Sequence, residues 1–528
     1  MNVQALTFRS TGAFSALAND FLDKPEKFAD WLPLPFSIAG IQQAMAQRAG
    51  FGAEQRSMLL AALKAQYATL PNQQLPMSQL ERLGKEGVFT ITTAHQPNLF
   101  TGPAYLVYKI AGTIALARAL EAEGLGYFVP VYWMGAEDHD LEELNHTYVF
   151  GKRIEWQTQQ TGAVGRMLLD DLTEARDELL HILGNEGHAG ELAALIESCY
   201  IKGITVAEAT RRFIDQLFGA YGLVVVDGDD AQLKAQFVPQ MRLELTEKAS
   251  EALVLRAASE LENAGYKAQI YPREINLFWL ESGVRERIVA TTHGYALAHG
   301  SKTWTAAEME VALQRSPECF SPNVVLRPLY QEHILPNVAF IGGGAEVAYW
   351  NLLPKVFEKY QVPFPVVMLR TSAMVMDKGS FNRQQKLGLD NLQLFEETEQ
   401  LIRDFIAAHE SGLFTLQSEN AKIQAIFEAL ADRVEQVDPT LKAAVLAEAK
   451  KLQGSLEGLQ SRVIKAQKQK HETEVNQIRA LKAKLFPENH LQERHDSFMN
   501  FYAWAGRDFI DTCVREMNPL RKEFLVLS

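Results

Sequence analysis

Over the first 385 positions the apolar residues gather into short continuous runs, separated by stretches whose apolar positions recur with helical spacing. VFTITT (88–93), YFVPVYWM (127–134), GLVVVD (222–227), VAFIG (338–342) and PFPVVMLR (363–370) have the length and the β-branched or aromatic content of buried strands. Between the first two, Val107, Ile110, Ala111, Ile114, Ala115 and Ala117 lie on or near one face of a helix predicted over 104–123. Strand, helix, strand across 88–134 is a βαβ unit, and it predicts a parallel sheet. Residues 151–320 are less regular, with helices expected around 189–220 and 230–265. A hairpin then follows in INLFWLESGVRERIVA, turning at Ser282-Gly283. Much of this region reads as insertions that decorate the core.

The pattern changes after Gly388, where the chain becomes polar and helical to about Leu485. Asp438 as N-cap and Pro439 at the first helical position start a helix. Val445, Ala449, Leu452, Leu456, Leu459, Val463 and Ala466 then alternate at spacings of four and three, a coiled-coil seam of three heptads. Its phase slips near Ile464, and a second track runs through Ile478, Leu481 and Leu485. A neighbouring helix of the same chain, a second copy, or the chain's own core would each cover such a seam. From Leu491 the aromatics return with Phe498, Phe501, Tyr502 and Trp504, and the ending FLVLS predicts a return to the core. The expected divisions are 1–385, 386–490 and 491–528.

Composition narrows the function classes. A net charge of -13 over 528 residues argues against a general binder of nucleic acid or anionic membrane, while leaving room for a local basic pocket. Cys199, Cys319 and Cys513 are odd in number, far apart and in no CxxC spacing, which points to a reducing compartment. The opening MNVQALTFRS lacks a secretory pattern, and no apolar stretch approaches the ~20 residues that span a bilayer. The expectation is a cytoplasmic protein without nucleic-acid or membrane partners.

In a parallel sheet, ligands bind where the strands' carboxyl ends meet their loops. The exits are AHQPNLFTGP, GAEDHDLEELNH, DGDD, GGGAE and RTS, five loops rich in charge, hydroxyls and glycine. A helix starting near Pro103 would present free N–H groups to an anion, capped by Thr101, with Gly102 allowing close approach and His95 and Asn98 donating to phosphate. Asp138 and Asp140 share a face in extended backbone and suit Mg²⁺, with His139 between them as an alternative base. Gly342, Gly343 and Gly344 precede Glu346 and suggest an anion nest. Upstream, Arg327 and Gln331 share a helical face beside Glu332 and Asn337, and Arg327 is placed to grip a carboxylate. Trp350 and Arg370 complete the candidate substrate contacts.

TGPAYLVYK (101–109), PVYWMGAEDHDLEELNH (130–146), NVVLRPLYQEHILPNVAFIGGGAEVAYW (323–350) and LQERHDSFMNFY (491–502) resemble the BshC family, the cysteine ligases of bacillithiol biosynthesis. YGLVVVDGDD and GYKAQIYPREINLFWL extend the likeness across nearly the whole chain. The resemblance implies an α/β fold: a Rossmann-like parallel-sheet core similar to class I synthetases and nucleotidyltransferases, with insertions and a dimerising antiparallel coiled coil. It also implies an amide-forming ligase that adds L-cysteine to glucosaminyl-malate. A carboxylate is a poor electrophile toward an amine, so ATP or another nucleotide is the expected activator, with Mg²⁺ on Asp138 and Asp140. Gln96, Thr101, Gly102 and Pro103 match the family's first loop. The offset of His95 and Asn98 is similar to the HxGH signature of class I synthetases, with Pro97 and Asn98 in place of the glycine and second histidine. No KMSKS loop is present, and DKGS (377–380) is the nearest stretch. Two other readings fit the same loops: a nucleotidyltransferase for another small acid, and a nucleotide-binding coiled-coil assembly protein without catalysis.

Overall fold

The five apolar runs become five strands of one sheet, numbered here in chain order: β1 Val88–His95, β2 Tyr127–Met134, β3 Val224–Asp227, β4 Asn337–Gly342 and β5 Val366–Leu369. The computed structural model describes residues 1–70, 74–410 and 414–528. The strands lie in the order β3-β2-β1-β4-β5 and every pairing is parallel. This is the order of a Rossmann fold. From β1 the chain works outward to β3, then returns to add β4 on the other side of β1. The order therefore reverses between β1 and β4, which is where such sheets open a ligand crevice. Ile341 of β4 pairs with Thr93 of β1, and His95 with Met134 of β2, so the three carboxyl ends are level.

β4 is buried at every residue, and β1 at every residue but its last, as expected of strands covered on both faces. The helix Tyr105–Ala122 is buried almost all round rather than on one face, because the C-terminal helix Arg507–Glu516 packs on its outer side. A Cβ at Gly112 would stand 3.0 Å from the Met517 carbonyl, so this close approach needs glycine there. The middle region supplies β3, four helices between Gly187 and Asn263, and the expected hairpin. Leu277–Glu281 pairs with Val284–Thr291 around Ser282-Gly283, within a five-stranded antiparallel sheet. A third sheet joins Val3–Thr7, Glu523–Leu527 and Ser372–Val375, so the FLVLS ending forms a central strand.

The chain divides into two compact units, Met1–Asp377 with His490–Ser528, and Lys378–Asn489. The first boundary falls eight residues earlier than position 385, because the helix Lys378–Leu387 packs against the helix Glu472–Leu485 of the second unit. Within that unit, Ile478, Leu481 and Leu485 are buried. Gln417–Glu435 and Lys442–Lys470 pack along each other, with Asp438 capping the turn between them. The seam of the long helix divides in two. Ala449 is buried, and Gln453 and Gln460 face the partner, bonding Gln424 and the Leu416 N–H. Leu452 and Leu459 are left exposed, 38% and 48%. Among the described residues no helix is long and apolar enough to cross a membrane, and Cys199, Cys319 and Cys513 are free thiols.

Candidate functional site

A crevice of about 500 Å³ opens at the carboxyl ends of the central strands, within the size range of small-molecule sites. β1 contributes Ala94, His95 and Gln96, and the turn after β4 contributes Gly343 to Glu346. Glu137 and Asp138 enter from β2, Arg370 from the end of β5, and Tyr105 and Lys109 from the first turns of the helix after β1.

Lys109 is 1% exposed, and a lysine so placed must find partners. Its ammonium donates to the Ala94 carbonyl and to Glu346 Oε2, both at 2.6 Å. Burial draws its pKa below the ordinary lysine value, against the pull of Glu346. The same Oε2 accepts the Gly343 N–H at 2.8 Å. The glycine run therefore already holds an anion, the protein's own carboxylate. A Cβ on Gly342 would lie 2.9 Å from that of Glu346, so Gly342 makes room for this side chain instead of lining the crevice.

Arg370 is also spent. Glu493 grips it bidentately at 2.6 and 3.0 Å and keeps it charged in spite of its burial. By contrast, Arg285, Arg327 and Arg494 line the crevice and form no ion pair with a carboxylate within 4.0 Å among the described residues. Arg327 donates to Gln331 Oε1 and the Tyr349 hydroxyl, both 3.0 Å away. Arg285 reaches in from the hairpin, lies 4.0 Å over the Phe278 ring and donates to Ser321 Oγ and His139 Nδ1.

His95 is neutral: burial and the cations Lys109 and Arg370 hold its pKa well below the usual imidazole value. Its Nε2 meets the Tyr105 hydroxyl at 3.2 Å. Gln96 donates to Asp138 Oδ2, while Oδ1 accepts the backbone N–H groups of His139 and Asp140. Although burial opposes it, Arg285 and these donors hold the Asp138 carboxyl below the ordinary range. Asp140 turns away to cap the short helix Leu141–Leu144, so it does not form a cation site with Asp138. Among the described residues no three His, Cys, Asp or Glu side chains gather into a metal-binding group. His139 has its Nδ1 committed to Arg285, which leaves it steadying that arginine rather than free as a base.

Several expected contacts lie in the core instead. Asn98 and Thr101 are buried away from the crevice, and the helix begins at Tyr105 without a side-chain cap. Its Ala104 N–H is taken by the Asp496 carbonyl. Gln331, Glu332 and Asn337 form a buried network: both amides donate to Glu332 Oε1 while Arg48 pairs with Oε2. Burial pushes Glu332 up to about 7, against the pull of Arg48. Trp350 is fully buried and stacks on Phe340. Gly102 does not line the crevice; it adopts φ 61°, ψ -142°, with no room for a Cβ, which would stand 2.7 Å from Asn98 Cβ. Gly102→Ala is therefore expected to destabilise the unit by about 2–3 kcal/mol. A urea titration checks this, and an unchanged midpoint would contradict the seating of this turn.

The model of the bacillithiol biosynthesis BshC N-terminal Rossmann-like domain matches residues 1–371, and that of the BshC C-terminal coiled-coil domain matches 373–528. The chain belongs to the BshC family. A BshC relative from Flavobacterium psychrophilum is 36% identical over 531 residues, covering 100% of both chains. One from Flavobacterium johnsoniae is 35% identical over 534 residues, again with 100% of both chains covered. One from Cytophaga hutchinsonii is 35% identical over 501 residues, 95% of this chain and 94% of its own. Each relative bears the name "Putative cysteine ligase BshC". The Rossmann-like core and helical coiled coil implied by the BshC resemblance are the folds found. Among the site residues that the sequence did not single out are Tyr105, Lys109, Arg285, Tyr349 and Arg494. Four of these sit inside the stretches that carry the BshC likeness. Lys109 also had a physical signal, as the one charge in the run 105–117, which is otherwise almost wholly apolar.

Proposed function

We propose that the crevice is the active site of a ligase joining the carboxyl group of L-cysteine to the amine of glucosaminyl-malate. The observation that carries this reading is the convergence of Arg285, Arg327 and Arg494, none paired with an acid, at the switch point of a BshC-family Rossmann sheet. Guanidinium groups with no carboxylate in direct contact suit phosphate and carboxylate ligands, and the malate portion of the acceptor has two carboxylates. A nucleotide triphosphate such as ATP, arriving with Mg²⁺ on its own phosphates, would supply the activation that a carboxylate needs before an amine attacks it. Neutral His95, its Nε2 on the Tyr105 hydroxyl, can accept or donate there and so orient that hydroxyl at the crevice wall. Glu143 lines the crevice at its exposed outer edge, where partial desolvation and then the nearby Asp138 and Asp140 raise its pKa. It is therefore a better acceptor for the amine proton than Asp138, whose oxygens are already engaged. Incubation with ATP, Mg²⁺, cysteine and glucosaminyl-malate should yield the condensed thiol by mass spectrometry. Nucleotide binding without that product would refute the ligase reading and favour an assembly protein.

The helical unit suits a second copy of the chain. Ile426 and Leu430 on one helix, Val437 in the turn that follows it, and Leu446, Leu452 and Leu459 on the other helix stay exposed, and stripes of this kind are covered by oligomerisation. Leu452→Asp/Leu459→Asp should halve the sedimentation mass without lowering thermal stability. A wild-type monomer would remove the homodimer.

A further inference from the structure

Ligation through the carboxyl group of cysteine leaves its α-ammonium unreacted, so a selective site must recognise that cation separately. The crevice has four carboxylates on its walls, and three are poorly placed for the task. Glu137 is paired with buried Lys234. Asp138 accepts three protein N–H groups. Glu143 belongs to the outer acidic loop and is exposed. Glu346 differs from all of them. Its Oε2 is pinned by Lys109 and the Gly343 N–H, whereas Oε1 accepts no hydrogen bond from the described residues, and the side chain is 22% exposed.

Two donors on one oxygen fix the plane of the carboxylate and hence the direction of the free oxygen. Lys109 is itself anchored on the Ala94 carbonyl at the end of β1, so the lock is built on the sheet. Glu346 lies in the short helix Gly344–Trp350, and three residues further along it the Tyr349 hydroxyl accepts a hydrogen bond from Arg327 Nη2 at 3.0 Å. Positions three apart on a helix are neighbours at about 5–6 Å. Gln331 sets the other side of Arg327: with Arg48 on its Oε2, Glu332 accepts the Gln331 NH₂ through Oε1, and this turns the amide oxygen to the guanidinium. One wall therefore presents an aimed carboxylate oxygen beside an aimed, acid-free guanidinium. That is the complement of an α-amino acid zwitterion.

We propose that Glu346 receives the α-ammonium of the amino-acid substrate while Arg327 receives its carboxylate, with Lys109 as the positioning residue that makes the crevice reject thiol acids lacking the amine. This rests on the ligase reading for the identity of the amino acid, and the test separates the two. Calorimetry on the full-length protein, without nucleotide or acceptor, compares cysteine with 3-mercaptopropionate, which lacks the ammonium. Wild type should bind cysteine about 30–100-fold more tightly, as expected for a charge-assisted hydrogen bond. Glu346→Gln should remove most of that preference while leaving the binding of 3-mercaptopropionate unchanged. Because Glu346→Gln strands the Lys109 charge, Lys109→Met/Glu346→Met serves as a second variant with no unpaired buried ion. It too should lose the preference, with its circular dichroism unaltered. Retention of the full preference in both folded variants overturns the assignment. Equal binding of the two compounds by a wild type that still forms the condensed product overturns the ammonium site and spares the ligase. Absence of both cysteine binding and product removes both.

Discussion

Glu493→Ala is expected to be among the most destabilising single changes in the first unit, at about 3–5 kcal/mol. Glu493 is 0% exposed and holds Arg370, 5% exposed, through two short bonds. It also accepts the Ala373 N–H at 3.0 Å. Truncation would strand a buried guanidinium and a buried backbone donor together, and the penalty lies in the stranded charge rather than in the lost pair. Arg370→Met/Glu493→Leu should therefore recover most of the loss. All seven tryptophans belong to the first unit, so urea titration followed by tryptophan fluorescence reports it without interference from the helical unit. A loss below about 1 kcal/mol would mean that water reaches the pair.

Arg327→Met is expected to lower kcat/KM for cysteine about 10²–10³-fold while leaving the circular dichroism and urea midpoint near wild type. Removing a positioned charge that meets an anionic group costs rates of that order. Gln331 and Tyr349 hold the guanidinium from two sides, and only a planar fork with several donors satisfies both while still facing a ligand. Arg327→Lys should therefore rescue little, although it restores the charge. Rescue to within a few-fold would reduce the role of Arg327 to charge alone, and an unaffected kcat/KM would place the carboxylate on Arg285 or Arg494.

The strands were legible because strands covered on both faces must be apolar at every position. The location of the crevice followed, since parallel strands release all their loops at one edge. The first loop shows where this reasoning stops. His95 and Gln96 reach the crevice, but three residues with positive φ, Phe100, Thr101 and Gly102, fold the rest of the loop into the core. Hydrogen-bonding side chains in a strand exit signal a polar environment without saying whether it is a ligand or the protein. The GGGAE turn repeats the lesson, because the anion it holds is Glu346. In the long helix, Leu452 and Leu459 belong to a regular seam, but helical phase placed glutamines against the partner.

Hydrophobic patterning, read along the chain, determined the parallel α/β core, the helical segment and the return of the C-terminus, because burial acts on local runs of residues. Family membership was legible from long motifs for the same reason. Only the tertiary structure decided which charges are free. Arg370 looked available until Glu493, 123 positions later, proved to be its partner, and Arg285 came into the site from an inserted hairpin. Lys109 was hidden in a buried helix until Glu346, 237 positions away, explained it. Whether a charge is compensated depends on distance and orientation in space, and the spacing of residues along a chain carries neither.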